Sequence, residues 1–263
     1  MSVQSSGTDP VTLTEPDIQH ADSEVTCLQG HTVVLVCEHA SNHIPDEFHS
    51  LGLSHEQQLS HIAWDPGALG VARHLADMAG ATLVDCETSR LVYDCNRPPD
   101  APDAMPQQSE IHRIPGNQNL TDRDRQYRID HYYRPFEQRV VTALSQAAAT
   151  GLPVVIVTIH SFTPVYRGHE RSTQIGILHD SDTRLADSLL RTADRHTPLL
   201  VHRNQPYSPT DGVTHTLLRH GIENAFMNVM IEIRNDLITS EHQQQAMAVM
   251  LSGWLTHALN EVG

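Results

Sequence analysis

Two histidines and a glutamate stand at or near the ends of apolar runs that have the composition of β-strands. His39 follows the run TVVLVC at 32–37, and His160 follows VVIVTI at 154–159. Glu232 lies inside a third run, NVMIEI. Ligands of open α/β sheets bind at the carboxyl ends of the strands, so we expect these side chains to meet at one edge of a sheet. Two histidines in equivalent positions can supply two nitrogen ligands to one zinc ion.

A catalytic zinc ion normally takes a third protein ligand and leaves its fourth position to water. The sequence offers Asp65, Glu38 or His43 for that role. Asp65 directly precedes a proline and an apolar helix, so an ordinary helix N-cap is the alternative interpretation of this residue. Glu38 points away from His39 if the strand continues through it, because neighbours on a strand alternate between faces. The residues alone leave the third ligand open.

Glu232 is the candidate general base. Its neighbours in the run are apolar, so its carboxylate is either buried for a purpose or exposed at the strand end, since charged groups are rarely buried without a partner. A carboxylate beside the attacking water can accept a proton during the attack and return it to the leaving amine, as metal-assisted amide hydrolysis requires.

The arginines favour an anionic ligand. Arg90 and Arg97 bracket the strand-like LVYDCN, Arg171 follows His160 by eleven residues, and Arg234 lies two residues beyond Glu232. A guanidinium matches a carboxylate bidentately. Each arginine alone is more often a surface salt-bridge partner, but together they favour a small ligand that carries a carboxylate.

The charge of the chain excludes several classes of protein. Its 32 acidic residues against 17 basic ones give a formal net charge of −15, which repels phosphate backbones and anionic membrane surfaces. All basic residues are arginines, so mechanisms that need a lysine amine are excluded. The polar N-terminus has no apolar signal region, and no run reaches the length of a membrane span. We therefore expect a cytoplasmic protein without a nucleic-acid or membrane partner.

Short β-forming runs alternate with amphipathic stretches along the chain. The predicted strands are 32–37, 82–86, 154–159, 174–178 and 228–233. The predicted helices are 66–80, 125–148, 182–196 and 241–262. This alternation indicates a layered α/β domain with a largely parallel sheet over 26–263, preceded by a flexible segment at 1–25. The proline-rich segment 97–124 is predicted to be a long loop, either a lid or a plain excursion.

The four cysteines lack CxxC spacing and are expected to be reduced.

Seven blocks of the sequence resemble, in order, the N-formylglutamate amidohydrolase family over most of residues 30–260. They are CEHASNHIP, HIAWDPGA, SRLVYDCNRPP, RIPGN, HYYRPFE, TIHSFTP and IEIRNDLI. The resemblance implies a zinc-dependent hydrolase with a three-layer α/β/α fold and a largely parallel or mixed central sheet, as in zinc carboxypeptidases and zinc-dependent cell-wall amidases.

The wider relatives imply a role for each matching position. A histidine after the first strand, an acidic residue that opens the next helix and a histidine after a later strand hold the metal, and a late glutamate acts as base. In this chain these are His39, Asp65, His160 and Glu232. Carboxypeptidases place the acid three residues after the first histidine, where this chain has Asn42. Their Asn-Arg pair for the substrate carboxylate is similar to Asn96-Arg97.

The sequence therefore predicts a metal-dependent amidohydrolase that cleaves the N-acyl amide of a small acidic amino acid. The resemblance implies N-formyl-L-glutamate as substrate and a place in histidine degradation. Zinc is the expected metal, although two histidines and one carboxylate suit other divalent transition metals. The alternatives are a hydrolase of another N-acyl amino acid or short peptide, and a non-catalytic protein that binds a metal or a small acid. The oligomeric state stays open.

Overall fold

The computed structural model describes residue 28 and residues 30–262, so the segment predicted to be flexible, 1–25, lies outside the described residues. The strands in chain order are β1 Thr32–Cys37, β2 Thr82–Asp85, β3 Gln108–Ser109, β4 His112–Arg113, β5 Val154–Phe162, β6 Val165–Tyr166, β7 His169–Glu170, β8 Ile175–Leu178, β9 Val201–Arg203 and β10 Met227–Arg234. The helices are α1 His55–Leu59, α2 Ala68–Ala79, α3 Asp122–Arg128, α4 Arg134–Ala149, α5 Arg184–His196 and α6 Glu241–Val262.

The central sheet has six strands in the order β2-β1-β5-β10-β8-β9. Its first four strands are parallel to one another, whereas β8 runs antiparallel to β10 and β9 runs parallel to β8. The sheet is therefore largely parallel, as predicted, and the one antiparallel pairing among its described strands, β8 with β10, makes it mixed. The carboxyl ends of β1, β5 and β10 lie at the same edge, and the register of β10 on β5 puts Glu232 beside His160.

Helices cover both faces of the sheet, which confirms the three-layer α/β/α architecture. On one face, α2, α5 and α6 pack on a large apolar cluster that includes Val33, Leu35 and the buried Trp254. On the other face, α4 packs on a second cluster that includes Val34 and Val36. Alternate residues of β1 thus enter opposite cores, as the two-residue period of a strand requires. No helix in the described part of the chain is long and apolar enough to cross a membrane.

The predicted elements differ from the observed ones mainly where the chain bends. The helix predicted over 125–148 consists of α3 and α4, with a π-helical turn between them at Ile129–Tyr133. The long loop predicted over 97–124 contains the β3–β4 hairpin and the start of α3. The strand β9 was not predicted, because three residues are too few to show a period.

The described cysteines are free thiols, as expected. Cys37, Cys86 and Cys95 are buried, and the Sγ atoms of Cys86 and Cys95 are 3.6 Å apart. Cys27 lies outside the described residues.

His220 makes the fold sensitive to acid. It lies in the π-helical turn Leu217–Gly221 and is 5% exposed, and burial lowers its pKa to about 4. The pKa of a histidine in the unfolded chain is about 6.5. Between pH values of about 6.5 and about 4, the unfolded chain therefore binds a proton on His220 that the folded chain does not bind. We expect this difference to remove about 2 kcal/mol of unfolding free energy between pH 7.5 and pH 5.

Urea unfolding of the parent and of His220→Gln at both pH values measures this contribution. The variant is expected to lose about 2 kcal/mol less than the parent over the same range. His242→Gln, at an exposed position at the start of α6, serves as control and should behave as the parent does. Equal losses in all three proteins would contradict the assignment.

Candidate metal centre and substrate cavity

His39, Asp65 and His160 meet at the carboxyl edge of the sheet. His39 comes two residues after the end of β1, and His160 lies within β5. Asp65 stands in the turn before α2, where its backbone N–H donates to the His39 carbonyl at 2.9 Å. All three side chains are buried. The structure thus brings together the three residues that the sequence proposed as metal ligands.

The donor atoms of this group have the spacing that a metal ion needs. Asp65 Oδ2 lies 2.9 Å from His160 Nδ1 and 3.3 Å from His39 Nδ1, and the two Nδ1 atoms are 3.2 Å apart. A tetrahedral zinc ion with bonds of about 2.0–2.1 Å holds its ligand atoms about 3.3 Å from one another. The donor set and its spacing therefore fit zinc, and a similar divalent metal would be held in the same way.

The carboxyl group of Asp65 is held in its ionised form. Burial alone would raise its pKa, but the charges and hydrogen bonds of His39 and His160 hold the pKa well below its ordinary value. A helix N-cap alone would not explain two histidine nitrogens directed at one carboxylate oxygen. Glu38, Asn42 and His43, the other acids and donors weighed for this role, are not part of the group.

Two further carboxylates contact the outer nitrogens of the histidines. His39 Nε2 donates to Asp94 Oδ1 at 2.7 Å. Glu38 Oε2 lies 3.0 Å from His160 Nε2, within ion-pair distance although the atoms do not align as a hydrogen bond. Carboxylates in these positions fix the tautomer and the orientation of metal-binding histidines. They leave Nδ1 of each ring free for the metal.

Glu232 lies beside this group with an unused carboxylate oxygen. The residue is 4% exposed, and Oε2 is buried without a hydrogen-bond partner among the described residues. Burial is the main cause that raises its pKa to about 7, against the lowering effect of His160. A carboxylate that titrates near neutrality can both accept and return a proton at neutral pH.

The group opens into a cavity of about 650 Å³. One wall comes from the β6–β7 hairpin and Tyr207, and another comes from Gln108, Ser109 and Glu110 in the segment predicted as a loop. Glu110 Oε1 contacts His61 Nε2 at 2.7 Å and joins that wall to the segment that precedes α2. The cavity is large enough for a small amino-acid derivative.

The N-formylglutamate amidohydrolase family model matches residues 31–239. The chain belongs to this family. The chain is similar to a gene product of Agrobacterium tumefaciens with a solved crystal structure, at 53% sequence identity and a TM-score of 0.86. The match covers 88% of this chain and 92% of the Agrobacterium chain. The chain is also similar in structure to an N-formylglutamate amidohydrolase from Ralstonia eutropha JMP134, with a TM-score of 0.61 and 20% sequence identity. That match covers 89% of this chain and 95% of the Ralstonia chain, and at this identity it supports the fold alone. No curated protein matches the chain.

In this N-formylglutamate amidohydrolase family member, most of the sequence-predicted arginines already have partners. Arg90 Nη2 donates to Asp94 Oδ2 at 2.7 Å, and Nη1 lies 3.6 Å from Asp65 Oδ1. Arg97 Nε donates to Asp103 Oδ2 at 2.8 Å. Both arginines line the cavity. Their charges are largely balanced by these carboxylates.

The remaining three substrate-binding candidates differ in their contacts: Asn96, Arg171 and Arg234. Asn96 lines the cavity, but its amide donates to the Val213 carbonyl at 2.6 Å and accepts from Thr216 N at 3.1 Å. Arg171 lines the cavity, and its Nη1 donates to Tyr207 Oη at 3.3 Å. Arg234 is not among the lining residues: it donates to Asp236 and, through Nη1, to the Arg171 carbonyl at 3.2 Å. Substrate binding by these residues stays a prediction.

The sequence reasoning missed Asp94, although LVYDCN was singled out for its flanking arginines. Arg90 stands four residues before Asp94, and an arginine and an aspartate at this spacing could have been predicted to form an ion pair. Burial would raise the pKa of Asp94, but Arg90 and His39 hold it well below its usual range. A carboxylate that stays ionised can keep His39 oriented for the metal.

We expect Asp94→Asn to lower metal affinity by about 10–100-fold, the usual effect of removing a carboxylate that orients a histidine ligand. The amide keeps the size of the side chain but loses the charge that favours the required His39 tautomer. Competition with a chelating dye measures the change. Asp103→Asn, which removes a carboxylate from the Arg97 side of the cavity, is the matched control and should bind the metal as the parent does. Equal affinities in both variants would contradict the role of Asp94.

Proposed function

We propose that this chain hydrolyses the formyl amide of N-formyl-L-glutamate to formate and L-glutamate, with a zinc ion held by His39, Asp65 and His160. One observation carries the proposal. Three potential ligand atoms with metal-site spacing lie at the same cavity as Glu232, whose buried Oε2 has no hydrogen-bond partner among the described residues. Membership of the N-formylglutamate amidohydrolase family makes hydrolysis of an amide the chemistry to assign to this arrangement.

The protein's own residues account for the proton transfers. The metal, when bound, supplies a Lewis acid for the amide carbonyl and for the attacking water. Glu232 accepts one proton as the water oxygen bonds to the formyl carbon, and it delivers a proton to the amide nitrogen as the C–N bond breaks. Asp94 and Glu38 keep the two histidines oriented throughout.

The charges of the cavity support an acidic substrate. The chain as a whole is strongly acidic, yet four arginines line this cavity: Arg90, Arg97, Arg167 and Arg171. Six carboxylates line the cavity as well, and Arg90 and Arg97 pair with three of them. The support for a carboxylate ligand therefore comes from Arg167 and Arg171, because a guanidinium without a carboxylate partner favours an anionic ligand over a neutral one. The cytoplasmic location and the place in histidine degradation stay predictions.

The test is the metal content of the purified protein together with formate release from N-formyl-L-glutamate, with and without a chelator. N-acetyl-L-glutamate and N-formyl-L-methionine are the comparison substrates, and release of the free amino group is measured for all three because N-acetyl-L-glutamate yields acetate instead of formate. We expect about one metal ion per chain and chelator-sensitive release that is fastest from N-formyl-L-glutamate.

Two results would contradict the proposal in different ways. Bound metal without turnover of any substrate would favour a non-catalytic binder on the same scaffold. No metal, even after zinc is added back, would overturn the assignment of the ligands.

A further inference from the structure

The cavity contains two arginines whose charges are not balanced. Arg90 pairs with Asp94 and Asp65, and Arg97 pairs with Asp103. Arg167 and Arg171 have no carboxylate of the described residues within ion-pair distance, which is 4.0 Å. Both lie on the segment 163–171 that contains the β6–β7 hairpin. This hairpin arm therefore brings two free positive charges to the substrate cavity.

Arg171 is held in place before any ligand arrives. Its guanidinium carbon lies 4.4 Å from the ring centre of Tyr166 and 5.0 Å from that of Tyr207. Nη1 donates to Tyr207 Oη and to the Thr163 carbonyl, both at 3.3 Å. A guanidinium stacked on aromatic rings keeps its outer N–H groups available for a carboxylate and loses little freedom on binding.

Arg167 occupies a strained position. Arg167 and Gly168 form the two-residue turn of the hairpin, with φ values of 49° and 79°. Turns with positive φ at both positions favour Asn-Gly or Asp-Gly, and a long side chain at the first position is unfavourable. Nevertheless an arginine stands there, with its guanidinium carbon 5.3 Å from the ring centre of Tyr166 and its side chain at the cavity. Strain of this kind at a cavity wall points to a function of the side chain.

The two arginines lie at opposite ends of the hairpin arm. Arg171 packs on Phe162 and Thr163, which follow His160 at the end of β5, whereas Arg167 is at the hairpin tip. An N-acyl glutamate also has two carboxylates, one next to the amide and one at the end of the side chain. The arginine beside the end of β5 is therefore matched to the carboxylate next to the amide, and the arginine at the hairpin tip to the more distant one.

We propose that Arg167 binds the side-chain carboxylate of the substrate and Arg171 binds the carboxylate next to the amide, so that the hairpin arm selects N-acyl dicarboxylic amino acids. The inference rests on the proposed function, because it assigns the cavity to an N-formyl amino acid. Arg167 is then the residue that distinguishes glutamate from uncharged amino acids of the same size.

The experiment is Arg167→Asn in the full, zinc-loaded chain. Asparagine before glycine suits the turn, so the variant should fold with a melting temperature equal to or above that of the parent. For N-formyl-L-glutamate we expect kcat/KM to fall about ten- to thirtyfold, mostly through KM, as the loss of one charged hydrogen-bonded contact implies. For N-formyl-L-glutamine, which has the same shape without the charge, we expect kcat/KM to stay unchanged. Arg195→Asn, at an exposed position on α5, is the control and should alter neither substrate.

A binding measurement separates this inference from the proposed function. If the parent releases no formate, the proposed function fails, and calorimetry with glutarate and butyrate still tests the arm. Arg167→Asn is expected to weaken glutarate binding about tenfold and to leave butyrate binding unchanged. Equal losses for N-formyl-L-glutamate and N-formyl-L-glutamine would overturn the inference. The inference would also be overturned if the parent and Arg167→Asn bound glutarate with the same affinity, or if neither protein bound glutarate.

Discussion

Replacing Glu232 by glutamine is expected to slow formate release from N-formyl-L-glutamate by about 10²–10⁴-fold. The amide has the size of the carboxylate but cannot accept a proton from the attacking water. The loss should appear in kcat, because the proton is transferred in the reaction step and not when the substrate binds. Steady-state kinetics of the metal-loaded variant gives the number.

The Glu232→Gln variant should keep its metal, since the ligand atoms belong to His39, Asp65 and His160. Glu110→Gln changes another glutamate that lines the same cavity and should retain most of the activity. The alternative hypothesis is a non-catalytic binding protein, which needs no base. It predicts no turnover in the parent or in Glu232→Gln, and the same ligand affinity in both. Turnover within tenfold of the parent in Glu232→Gln would remove this residue from the mechanism.

The pH dependence of the parent provides a second view of Glu232. Its pKa is raised to about 7, and the base acts only in its deprotonated form. We therefore expect kcat/KM to fall on the acid side of the pKa that Glu232 has in the metal-loaded enzyme, towards a tenfold loss per pH unit. Bound metal adds a positive charge and shifts this decline to lower pH. In Glu232→Gln the remaining activity should lack this acid limb.

The residues at the strand ends could be predicted from the sequence for a simple physical reason. The runs before His39 and His160 are rich in β-branched residues, and parallel strands carry their carboxyl ends to the same edge of the sheet. Glu232 was recognisable as the charged member of an apolar run. Asp65 was less secure, because its position before a proline fits an N-cap equally well, and the resemblance to known hydrolases decided for it.

The partners of the charged residues could not be predicted in the same way. Whether Arg97 binds substrate or Asp103 depends on the path of an irregular segment that has no period to analyse. Strand alternation does not apply to Glu38, because β1 ends at Cys37 and Glu38 lies in the turn that follows. Its contact with His160 depends on the spacing between β1 and β5. Arg167 was overlooked because its significance lies in a positive φ, which an arginine does not signal. Local patterns therefore identified the elements, whereas tertiary contacts determined which charges remain free.

Asp65→Asn is expected to cause the largest loss of metal affinity of any carboxylate change in the site. Asp65 Oδ2 is the atom that both histidine Nδ1 atoms approach, and a neutral amide there is a weak ligand for zinc. The loss should exceed the factor of about 10–100 that removal of a supporting carboxylate causes. Zinc titration against a competing chelator measures it in Asp65→Asn, Glu38→Gln and the parent.

The thermal stability of the same proteins gives an independent measure. A ligand that binds only the folded state stabilises it by about 2.7 kcal/mol at one hundred times its dissociation constant. Added zinc should therefore raise the melting temperature of the parent, raise that of Glu38→Gln less, and leave that of Asp65→Asn nearly unchanged. This order follows from geometry, because Asp65 contacts both Nδ1 atoms whereas Glu38 contacts only the outer nitrogen of His160. If Glu38→Gln lost more affinity than Asp65→Asn, the third ligand would have to be assigned to Glu38.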